Sequence, residues 1–571
     1  MYKRSFHFIV LTAAILLAAC RSSSTSAPAD RILTNAVVYT MDSLRTVAQA
    51  VVIRDGRIQF VGSDEKAKDF IGDKTEVIDC KGRWVMPGFI EGHGHIHGLG
   101  SSLVDLDLMS VHSWEEIVAK VAEAAKKAAP GEWIIGRGWH QEKWDHAPQP
   151  NYLGYPYHGD LDKVAPDNPV WLTHASGHSS FVNAKALALA GVSAATPAPP
   201  GGSIVKDRSG TLMGVLEETA QSLVGKAYAQ WYDQLPDSVH RERWQKRFQL
   251  AEQECLANGI TSFQDAGSSW QQVEWMKQLA DDHALRIRHW VMVREGNASL
   301  RLNKGQFARL SDADGFLTVK AVKVSLDGAL GSYGAWLLQP YSDRKGWTGL
   351  NTFTIDSLRS IAEFFWDNGL QLCVHAIGDR ANRETIDLFA EQIRKDSNRD
   401  HRWRVEHAQH VNPVEIPRFR QWSVIASMQS IHCTSDAPFV EKRLGPERAE
   451  SGAYMWKAFL DAGVVVNNGT DVPVEKIDPF ANFYAAVTRK TKDGSTFYPN
   501  QKMTRAQALY SYTMANAYAA FEDKVKGSIE AGKYADLVVL DTDLLNTEEE
   551  HIPKTKVVMT LVNGVVSFER K

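Results

Sequence analysis

Strand-like segments alternate with helical ones along most of this chain, and that alternation limits the fold more than any other sequence feature. Within the stretch 357–369, one face of a predicted helix carries Leu358, Ile361, Phe364 and Phe365. The predicted strands are the apolar segments 84–95, 260–265, 287–293, 319–327, 370–377, 403–409, 423–429 and 464–471. Alternating strands and helices predict a parallel α/β fold, and eight such units predict a (β/α)8 barrel of the TIM type.

The regions outside the eight units are assigned to two further parts. Residues 31–87 and 525–571 carry short β segments, with an Asp-Gly turn in the first region and an Asn-Gly turn in the second. They predict a small composite β-sandwich domain built from both termini. Residues 88–524 are assigned to the barrel, in which a large structured insert at about 100–240 follows the first strand.

The N-terminus has the pattern of a bacterial export signal. A basic start precedes an apolar run at 8–19 that is too short to cross a bilayer, and Cys20 follows small residues in "LAAC". This resembles a lipobox, so residues 1–19 are predicted to be a lipoprotein signal peptide, Cys20 the lipidated residue and 20–30 a flexible tether. Because the residue after the cysteine is not Asp, we expect a lipid-anchored protein of the bacterial cell envelope, at the outer membrane and facing the periplasm. A plain signal peptide that ends in Cys is the alternative.

Composition limits the partners of the chain. With 64 Lys and Arg against 68 Asp and Glu, the formal net charge is −4, and no basic stripe is present, so nucleic acid is not expected as a partner. Hydrophobic residues at 44% and charged residues at 23% are typical of a globular protein, and contact with a membrane is expected only through the lipid anchor. The oligomeric state stays open, with a homodimer as one alternative.

Unusual polar residues mark the ends of several predicted strands. The segment FIEGHGHIHGLG (89–100) places His93 and His95 at the end of the first strand. Side chains two apart on a strand point to one face, so such a pair can bind one ion. Later strands carry Lys323, His375, His407 and Asp471. Active sites of (β/α)8 barrels lie at the C-terminal ends of the strands, so this set of imidazoles and a carboxylate predicts a metal site suited to zinc.

Each of these residues also has an ordinary structural explanation when it is taken alone. A single strand-end His is commonly hydrogen-bonded in a core, and a single Lys or Asp commonly forms a salt bridge or a cap. Asp265 and Asp327 are expected to orient ligands or to cap turns. His97 is interpreted as a bystander or as a contact on the substrate side, because Gly98 and Gly100 indicate that the strand has already ended.

Six motifs carry a family resemblance. They are, in chain order, VMPGFIEGHGH, VKVSLDGALGS, VHAIGDRANR, RVEHAQH, GTDVPV and GSIEAGKYADLVVLD. Together they resemble the amidohydrolase superfamily of metal-dependent hydrolases, in particular the branch that contains the N-substituted formamide deformylases. The resemblance covers essentially residues 31–571, and the insert segments GRGWHQEKW and SGHSSFVN are similar to the same branch.

The resemblance implies two divalent metal ions, with Zn²⁺ as the expected metal. The implied ligands are His93, His95 and Asp471 for the more buried ion, and His375 and His407 for the more exposed ion. Lys323 is implied to bridge both ions as a carbamate formed with CO₂, since an ammonium beside two dications would be repelled. A single ion, with Lys323 as a salt-bridging lysine, is the alternative. Glu91 stands where the family usually has Asp, and His97 where it generally has an apolar residue.

The implied reaction is hydrolysis of a non-peptide C–N bond in a small-molecule amide, such as an N-formyl or N-acyl amine, by a metal-activated hydroxide. Asp471 is implied to accept the proton and to return it to the leaving group. Candidate substrate contacts are Trp139, Trp144, His178, Asp379 and His432. Two alternatives are kept: an esterase or lactonase that uses the same metal centre, and a non-catalytic periplasmic binding protein.

Overall fold

The structure is a computed structural model that describes residues 27–571. The predicted signal peptide at 1–19 and the predicted lipidation site at Cys20 lie outside the described residues. The last residues of the predicted tether are described, and the backbone N–H of Ala29 donates to the carbonyl of Phe70 at 2.9 Å. None of the helices in this part of the chain is long and apolar enough to cross a membrane.

An eight-stranded parallel sheet forms the centre of the molecule, with its strands in chain order. They are Phe89–Gly94, Ile260–Ser268, Arg288–Val293, Leu317–Ser325, Gln371–Ala376, Arg404–His407, Ile425–Met428 and Val466–Asn468. Just beyond the last strand, the backbone N–H of Asp471 donates to the carbonyl of His93 at 2.8 Å. The N–H of His95 donates to the carbonyl of Val472 at 2.7 Å. These bonds bring the two edges of the sheet together, and the predicted TIM-type barrel is confirmed as a nearly closed parallel sheet.

The first predicted strand, 84–95, differs from the structure because the chain changes sheet in its middle. Trp84–Pro87 pairs with Leu537–Leu540 in a sheet that contains both ends of the chain, whereas Phe89–Gly94 belongs to the barrel. The change falls at Gly88, where a Cβ would lie 2.2 Å from the hydroxyl of Thr261. A residue without a side chain is needed for the chain to pass so close to its neighbouring strand.

Helices cover the outside of the barrel and connect its strands. They are Trp270–Asp281, Asn297–Leu302, Gln306–Leu310, Ile355–Asp367, Asp379–Ile393, Ile416–Gln421, Ser430–Leu444, Pro446–Gly452, Trp456–Asp461, Pro479–Thr488, Arg505–Tyr512 and Met514–Ala519. The helix expected within 357–369 is Ile355–Asp367, and Leu358, Ile361 and Phe365 are buried on its inner face. The hydroxyl of Thr354 accepts the backbone N–H of Ser357 and so caps its first turn.

The insert after the first barrel strand has its own sheet and its own apolar core. Its six strands, in sheet order, are Gly202–Lys206, Leu212–Glu218, Ser179–Val182, Val170–His174, Ile134–Trp139 and Leu106–Asp107. Its helices are Trp114–Ala125, Gly159–Val164, Ala184–Leu189 and Gln221–Tyr232, and a short hairpin pairs Asn151–Tyr152 with Tyr155–Pro156. The flanking helices Ile96–Ser102 and Asp237–Ala257 pack in the core of the barrel. Trp114, Trp139 and Phe181 lie in the core of the insert.

Two further sheets are formed by the N-terminal and C-terminal regions of the described chain. The four-stranded sheet contains Arg57–Gly62, Ala50–Arg54, Arg31–Thr34 and Glu76–Asp79. The six-stranded sheet contains Val565–Glu569, Val557–Val562, Leu537–Leu540, Trp84–Pro87, Val37–Tyr39 and Val47–Ala48. Buried residues from both sheets, including Leu33, Ile53, Val85 and Leu537, form one apolar cluster. The assignment of residues 31–87 and 525–571 to a separate β-sandwich domain stays a prediction.

A buried ion pair joins the barrel to the six-stranded sheet. The Nε of Arg288, in the third barrel strand, donates to Oδ2 of Asp536 at 2.7 Å, and Nη2 donates to Oδ1 at 3.2 Å. The two side chains are only 1% and 5% exposed. The guanidinium also lies 3.6 Å from the centroid of the Tyr534 ring. Removal of either charge would therefore leave the other one buried without its partner.

Asp536→Ala is expected to lower the free energy of unfolding by about 3–5 kcal/mol, because it leaves the Arg288 guanidinium uncompensated. Denaturant unfolding of the variant and the parent protein measures the difference. Asp541→Ala is the matched control, because Asp541 is an exposed aspartate directly after the strand Leu537–Leu540, which Asp536 precedes. This change should lower the free energy of unfolding by less than about 1 kcal/mol. Equal stability of Asp536→Ala and the parent protein would contradict the role given to the pair.

Candidate metal centre

The six predicted ligand residues meet at the C-terminal end of the barrel. Five of them line a cavity of about 420 Å³. These five are His95, Lys323, His375, His407 and Asp471. The sixth, His93, is fully buried and reaches the others from within the barrel: its Nε2 lies 3.1 Å from Nζ of Lys323. The metal-ligand assignments themselves stay predictions.

Asp471 lies between two groups of histidines. Its Oδ1 is 3.3 Å from Nε2 of His95 and 3.6 Å from Nε2 of His93. Two ligand atoms of one tetrahedral zinc ion lie about 3.4 Å apart when each bond is about 2.1 Å, so this spacing suits a shared ion. Its Oδ2 faces His407 and His432, whose ligand atoms form a second group with Asp471 within 4.8 Å.

His375 occupies the same cavity but has a different set of neighbours. Its ring centroid is 4.5 Å from that of His407, and its Nε2 lies 3.4 Å from Oδ1 of Asp327. Among the described residues, no group hydrogen-bonds to Nε2 of His375 or to Oδ1 of Asp471, although both atoms are buried. Buried polar atoms without partners are costly, so these two atoms favour a site that is completed by a bound ligand.

Backbone geometry at two strand ends turns the ligands into the cavity. His407 has φ 75° and Asp471 has φ 57°, in the left-handed region that non-glycine residues rarely adopt. Glu91 stabilises the second of these turns, since its Oε1 accepts the backbone N–H of Thr470 at 2.6 Å and its Oε2 accepts the Thr470 hydroxyl at 3.0 Å. Gly469 makes room for that carboxylate, because a Cβ there would lie 2.3 Å from Oε1. Glu91 therefore links the first strand to the loop that carries Asp471.

A buried pair of charges fixes the orientation of His93. Its Nδ1 hydrogen-bonds to Glu406, and the Glu406 carboxylate accepts two bonds from Arg404, at 2.6 Å from Nε and 2.9 Å from Nη2. Burial acts to raise the pKa of Glu406, but Arg404 and His93 together hold it well below its usual value. Since Glu406 is a carboxylate, Nδ1 of His93 donates, and Nε2 presents its lone pair to the cavity.

His407 is oriented in a similar way by an amide. Its Nδ1 lies 2.7 Å from Oε1 of Gln429, whose own Nε2 donates to the carbonyl of Ser427 at 3.2 Å. Because an amide oxygen only accepts, Nδ1 of His407 donates and Nε2 is left with its lone pair.

The protonation states also suit a divalent cation. Burial lowers the pKa of His93 to about 4 and lowers those of His375 and His407 well below the usual value, so the imidazoles are neutral. Burial acts to raise the pKa of Asp471, but the neighbouring imidazoles of His95, His93 and His407 hold it well below its usual value. Neutral imidazoles around a carboxylate are the forms that bind metal, so the residues fit the implied cofactor.

Of the five candidate substrate contacts, His178 lines this cavity. His432 lines a smaller cavity of about 50 Å³, which shares His375, His407 and Asp471 with the first. The Nδ1 of His178 hydrogen-bonds to Oε2 of Glu218 at 2.8 Å, and its ring centroid is 5.1 Å from that of His375. The Nε2 of His432 lies 4.0 Å from Oδ2 of Asp471.

The structure does not bring Trp139, Trp144 and Asp379 to this cavity. Trp139 is 1% exposed in the core of the insert, its indole N–H donates to the carbonyl of Leu172 at 2.8 Å, and Trp144 packs beside it. Large aromatic side chains fill apolar cores more often than they line pockets, and here they fill the core of the insert. Asp379 begins the helix Asp379–Ile393, accepts the backbone N–H of Leu338 at 2.9 Å, and lines a different cavity.

His97 lies outside the ligand group. It belongs to the helix Ile96–Ser102, its ring stacks on that of Trp244 at 6.5 Å, and burial lowers its pKa to about 4. Asp265 accepts the backbone N–H of Ile96 at 3.1 Å at the start of that helix. Asp327 accepts three backbone N–H groups, at 2.8 to 3.0 Å, in the loops after its own and the next strand.

Several functional side chains were missed by reasoning from the sequence. Arg404 and Glu406 lie two apart on a barrel strand directly before His407, and charged residues with that spacing share one face of the strand. That alternation is a signal that could have identified them. Arg137 and Glu218 line the cavity from the insert, and no local pattern in the sequence indicates that the insert returns there.

The fold and the site define a metal-dependent hydrolase on a (β/α)8 barrel, and comparison with known proteins agrees. A sequence profile of the amidohydrolase family matches residues 76–568, and this chain belongs to that family. The match confirms the predicted resemblance and, at the level of the family, the predicted class of enzyme, a hydrolase of C–N bonds other than peptide bonds.

Three proteins illustrate how far the similarity extends. Protein LONG AFTER FAR-RED 3 of Arabidopsis thaliana is 32% identical over 94% of this chain and 91% of its own length. The N-substituted formamide deformylase of Arthrobacter pascens is 28% identical over 95% of this chain and 98% of its own. The crystal structure of a metal-dependent hydrolase from Pyrococcus horikoshii OT3 is 27% identical, with a TM-score of 0.72 over 91% of this chain and 99% of that one.

Glu406→Gln is expected to weaken metal binding by about 10–100-fold, because the amide cannot hold the His93 ring as the charged carboxylate does. Competition with a chelator of known affinity measures the effect. Glu415→Gln is the matched control, since Glu415 is an equally buried carboxylate outside the site. His97→Ala should also keep the metal, whereas His93→Ala should lose it. Equal affinities for Glu406→Gln and Glu415→Gln would contradict the orienting role of Glu406.

Proposed function

We propose that the protein hydrolyses a non-peptide C–N bond in a small-molecule amide, with N-formyl and N-acyl amines as the substrate class. The observation that carries the proposal is the meeting of His93 and His95 with a single carboxylate, Asp471, in a buried cavity with further neutral imidazoles. The similarity to an N-substituted formamide deformylase over nearly the whole chain supports this choice of bond.

The proposed cofactor is a pair of divalent ions, with Zn²⁺ as the metal. The donor set supports two binding positions that share Asp471: one with His93 and His95, and one with His407, to which the resemblance adds His375 and the structure adds His432. We propose that Lys323 bridges the ions as a carbamate. Burial lowers the pKa of its amine to about 8, so a fraction is neutral near pH 7. That amine forms an N–C bond to CO₂ and releases one proton.

The side chains of the cavity provide proton transfer and orientation. When bound, the metal ions lower the pKa of a water molecule and polarise a carbonyl group. Asp471, held as a carboxylate, accepts a proton from the attacking water and returns it to the nitrogen of the leaving amine. Burial acts to lower the pKa of His178, but Glu218 raises it above the usual value, which favours the protonated imidazole as a donor to the substrate carbonyl oxygen.

Two further proposals concern the surroundings of the enzyme. The lipobox-like pattern at Cys20 supports a lipid-anchored protein of the cell envelope, at the outer membrane facing the periplasm. The apolar cluster shared by the two terminal sheets supports a composite β-sandwich domain beside the barrel. We propose that the partner is a small-molecule substrate and that the protein does not bind nucleic acid. The oligomeric state is left open, with a homodimer as one alternative.

The proposed reaction is tested with N-(2-phenylethyl)formamide and its matched ester, 2-phenylethyl formate. We expect the metal-loaded protein to accelerate hydrolysis of the amide, relative to its uncatalysed rate, more than that of the ester. Asp471→Asn should lose at least about 100-fold in kcat/KM on the amide because it cannot accept the proton. Asp379→Asn makes the same change outside the cavity and should keep its activity. A larger acceleration of the ester would favour the esterase alternative, and hydrolysis of neither compound would overturn the proposal.

A further inference from the structure

Two arginines of the cavity have no acidic partner. Arg137 comes from the insert strand Ile134–Trp139, and Arg294 follows the third barrel strand. Both line the same cavity as His375, His407 and Asp471. No carboxylate of the described residues lies within 4.0 Å of either guanidinium, in contrast to the buried arginines Arg288, Arg404 and Arg443.

Few of the donors of these two guanidinium groups are used within the protein. Arg137 donates from Nη2 to the carbonyl of Ala175 at 2.9 Å, and its buried Nε has no partner among the described residues. Arg294 donates from Nη2 to the hydroxyl of Ser325 at 3.1 Å. A guanidinium carries five N–H donors in a planar fork that matches a carboxylate, so most of this donor capacity is not used within the described chain.

The acidic groups of the cavity lie closer to other residues than to the two arginines. Glu218 pairs with His178, Asp471 faces His93 and His95, and Asp327 accepts backbone N–H groups. Burial lowers the pKa of Arg137 to about 10, which still leaves it charged near neutral pH. The lining of the cavity therefore includes two guanidinium groups that form no ion pair within 4.0 Å among the described residues.

We propose that Arg137 and Arg294 bind a carboxylate of the substrate, so that the preferred substrates are amides that carry one. This inference rests on the proposed function and narrows its substrate class. The carboxylate has two sources, the amine half of the substrate, as in an N-formyl or N-acyl amino acid, or the acyl half, as in an N-succinyl amine. In both cases the two arginines set the distance between the negative charge and the scissile C–N bond.

The test compares substrates that differ only in the carboxylate. N-Formylphenylalanine is measured against N-(2-phenylethyl)formamide, and N-succinyl-2-phenylethylamine against N-(2-phenylethyl)propanamide. We expect the metal-loaded protein to prefer one member with a carboxylate, and that member identifies the half of the substrate that carries the charge. Arg137→Met and Arg294→Met should each raise the KM for this preferred substrate about 10–100-fold, as expected for a lost hydrogen bond to a charged group. The kcat/KM of the uncharged partner should change less than about threefold.

Arg208→Met is the matched control, because Arg208 is an exposed arginine of the insert outside the cavity, and it should leave all four substrates unaffected. If Arg137→Met does not fold, Arg294→Met and Arg137→Lys carry the same comparison. A preference for the uncharged amides, or equal losses on charged and uncharged partners, overturns the proposal.

Binding of a carboxylate without a scissile bond separates this inference from the proposed reaction. Calorimetry with 3-phenylpropanoate and with 3-phenylpropanamide needs no turnover. Weaker binding of the acid by Arg137→Met and Arg294→Met, with the amide unchanged, supports the carboxylate site even if no amide is hydrolysed. Equal binding of the acid by the parent protein and both variants overturns it, whatever the activity.

Discussion

The site depends on the contact between the end of the last barrel strand and the end of the first. The bond from Asp471 N–H to the His93 carbonyl, at 2.8 Å, places a carboxylate beside two imidazoles that are almost 400 residues away along the chain. Glu91 reinforces the same contact through Thr470. The contact that closes the barrel therefore also positions Asp471 beside His93 and His95.

The interior of the barrel below the site contains charged side chains, and these charges are paired and hydrogen-bonded. Barrel interiors are generally filled by branched apolar side chains. Here Arg404 and Glu406 occupy that space, and Nη1 of Arg404 also donates to Gln264. A buried ion pair of this kind contributes little stability by itself, since desolvation offsets the attraction between the charges. Its effect is to fix one tautomer of His93, and with it the direction of the Nε2 lone pair.

Sequence reasoning predicted the parts of the molecule that local periodicity determines. The eight barrel strands, the helix Ile355–Asp367 and the convergence of His93, His375, His407 and Asp471 all follow from strand ends that meet at one face. The split of 84–95 at Gly88 could not be predicted, because a continuous apolar strand does not show that it changes sheet.

Contacts that depend on the path of the insert were also beyond local patterns. Trp139 was expected in the pocket and lies in the core of the insert, while Arg137, two residues before it on the same strand, lines the cavity. The pairing of that strand shifts register between Arg137 and Trp139, at a glycine with φ 118°, so these two residues do not share a face as regular alternation would predict. Neither this irregularity nor the packing of the insert on the barrel can be read from the local pattern. Residues that the barrel itself supplies are therefore more predictable than those that determine the substrate.

The central claim is that this barrel holds a two-metal centre bridged by Lys323, and metal content tests it most directly. Metal per chain is measured in the reconstituted protein and in Lys323→Ala, after exhaustive dialysis against metal-free buffer. The account predicts about two ions per chain in the parent protein and a loss of at least about one ion in the variant, because the bridging ligand is removed. One ion per chain in both proteins would contradict it.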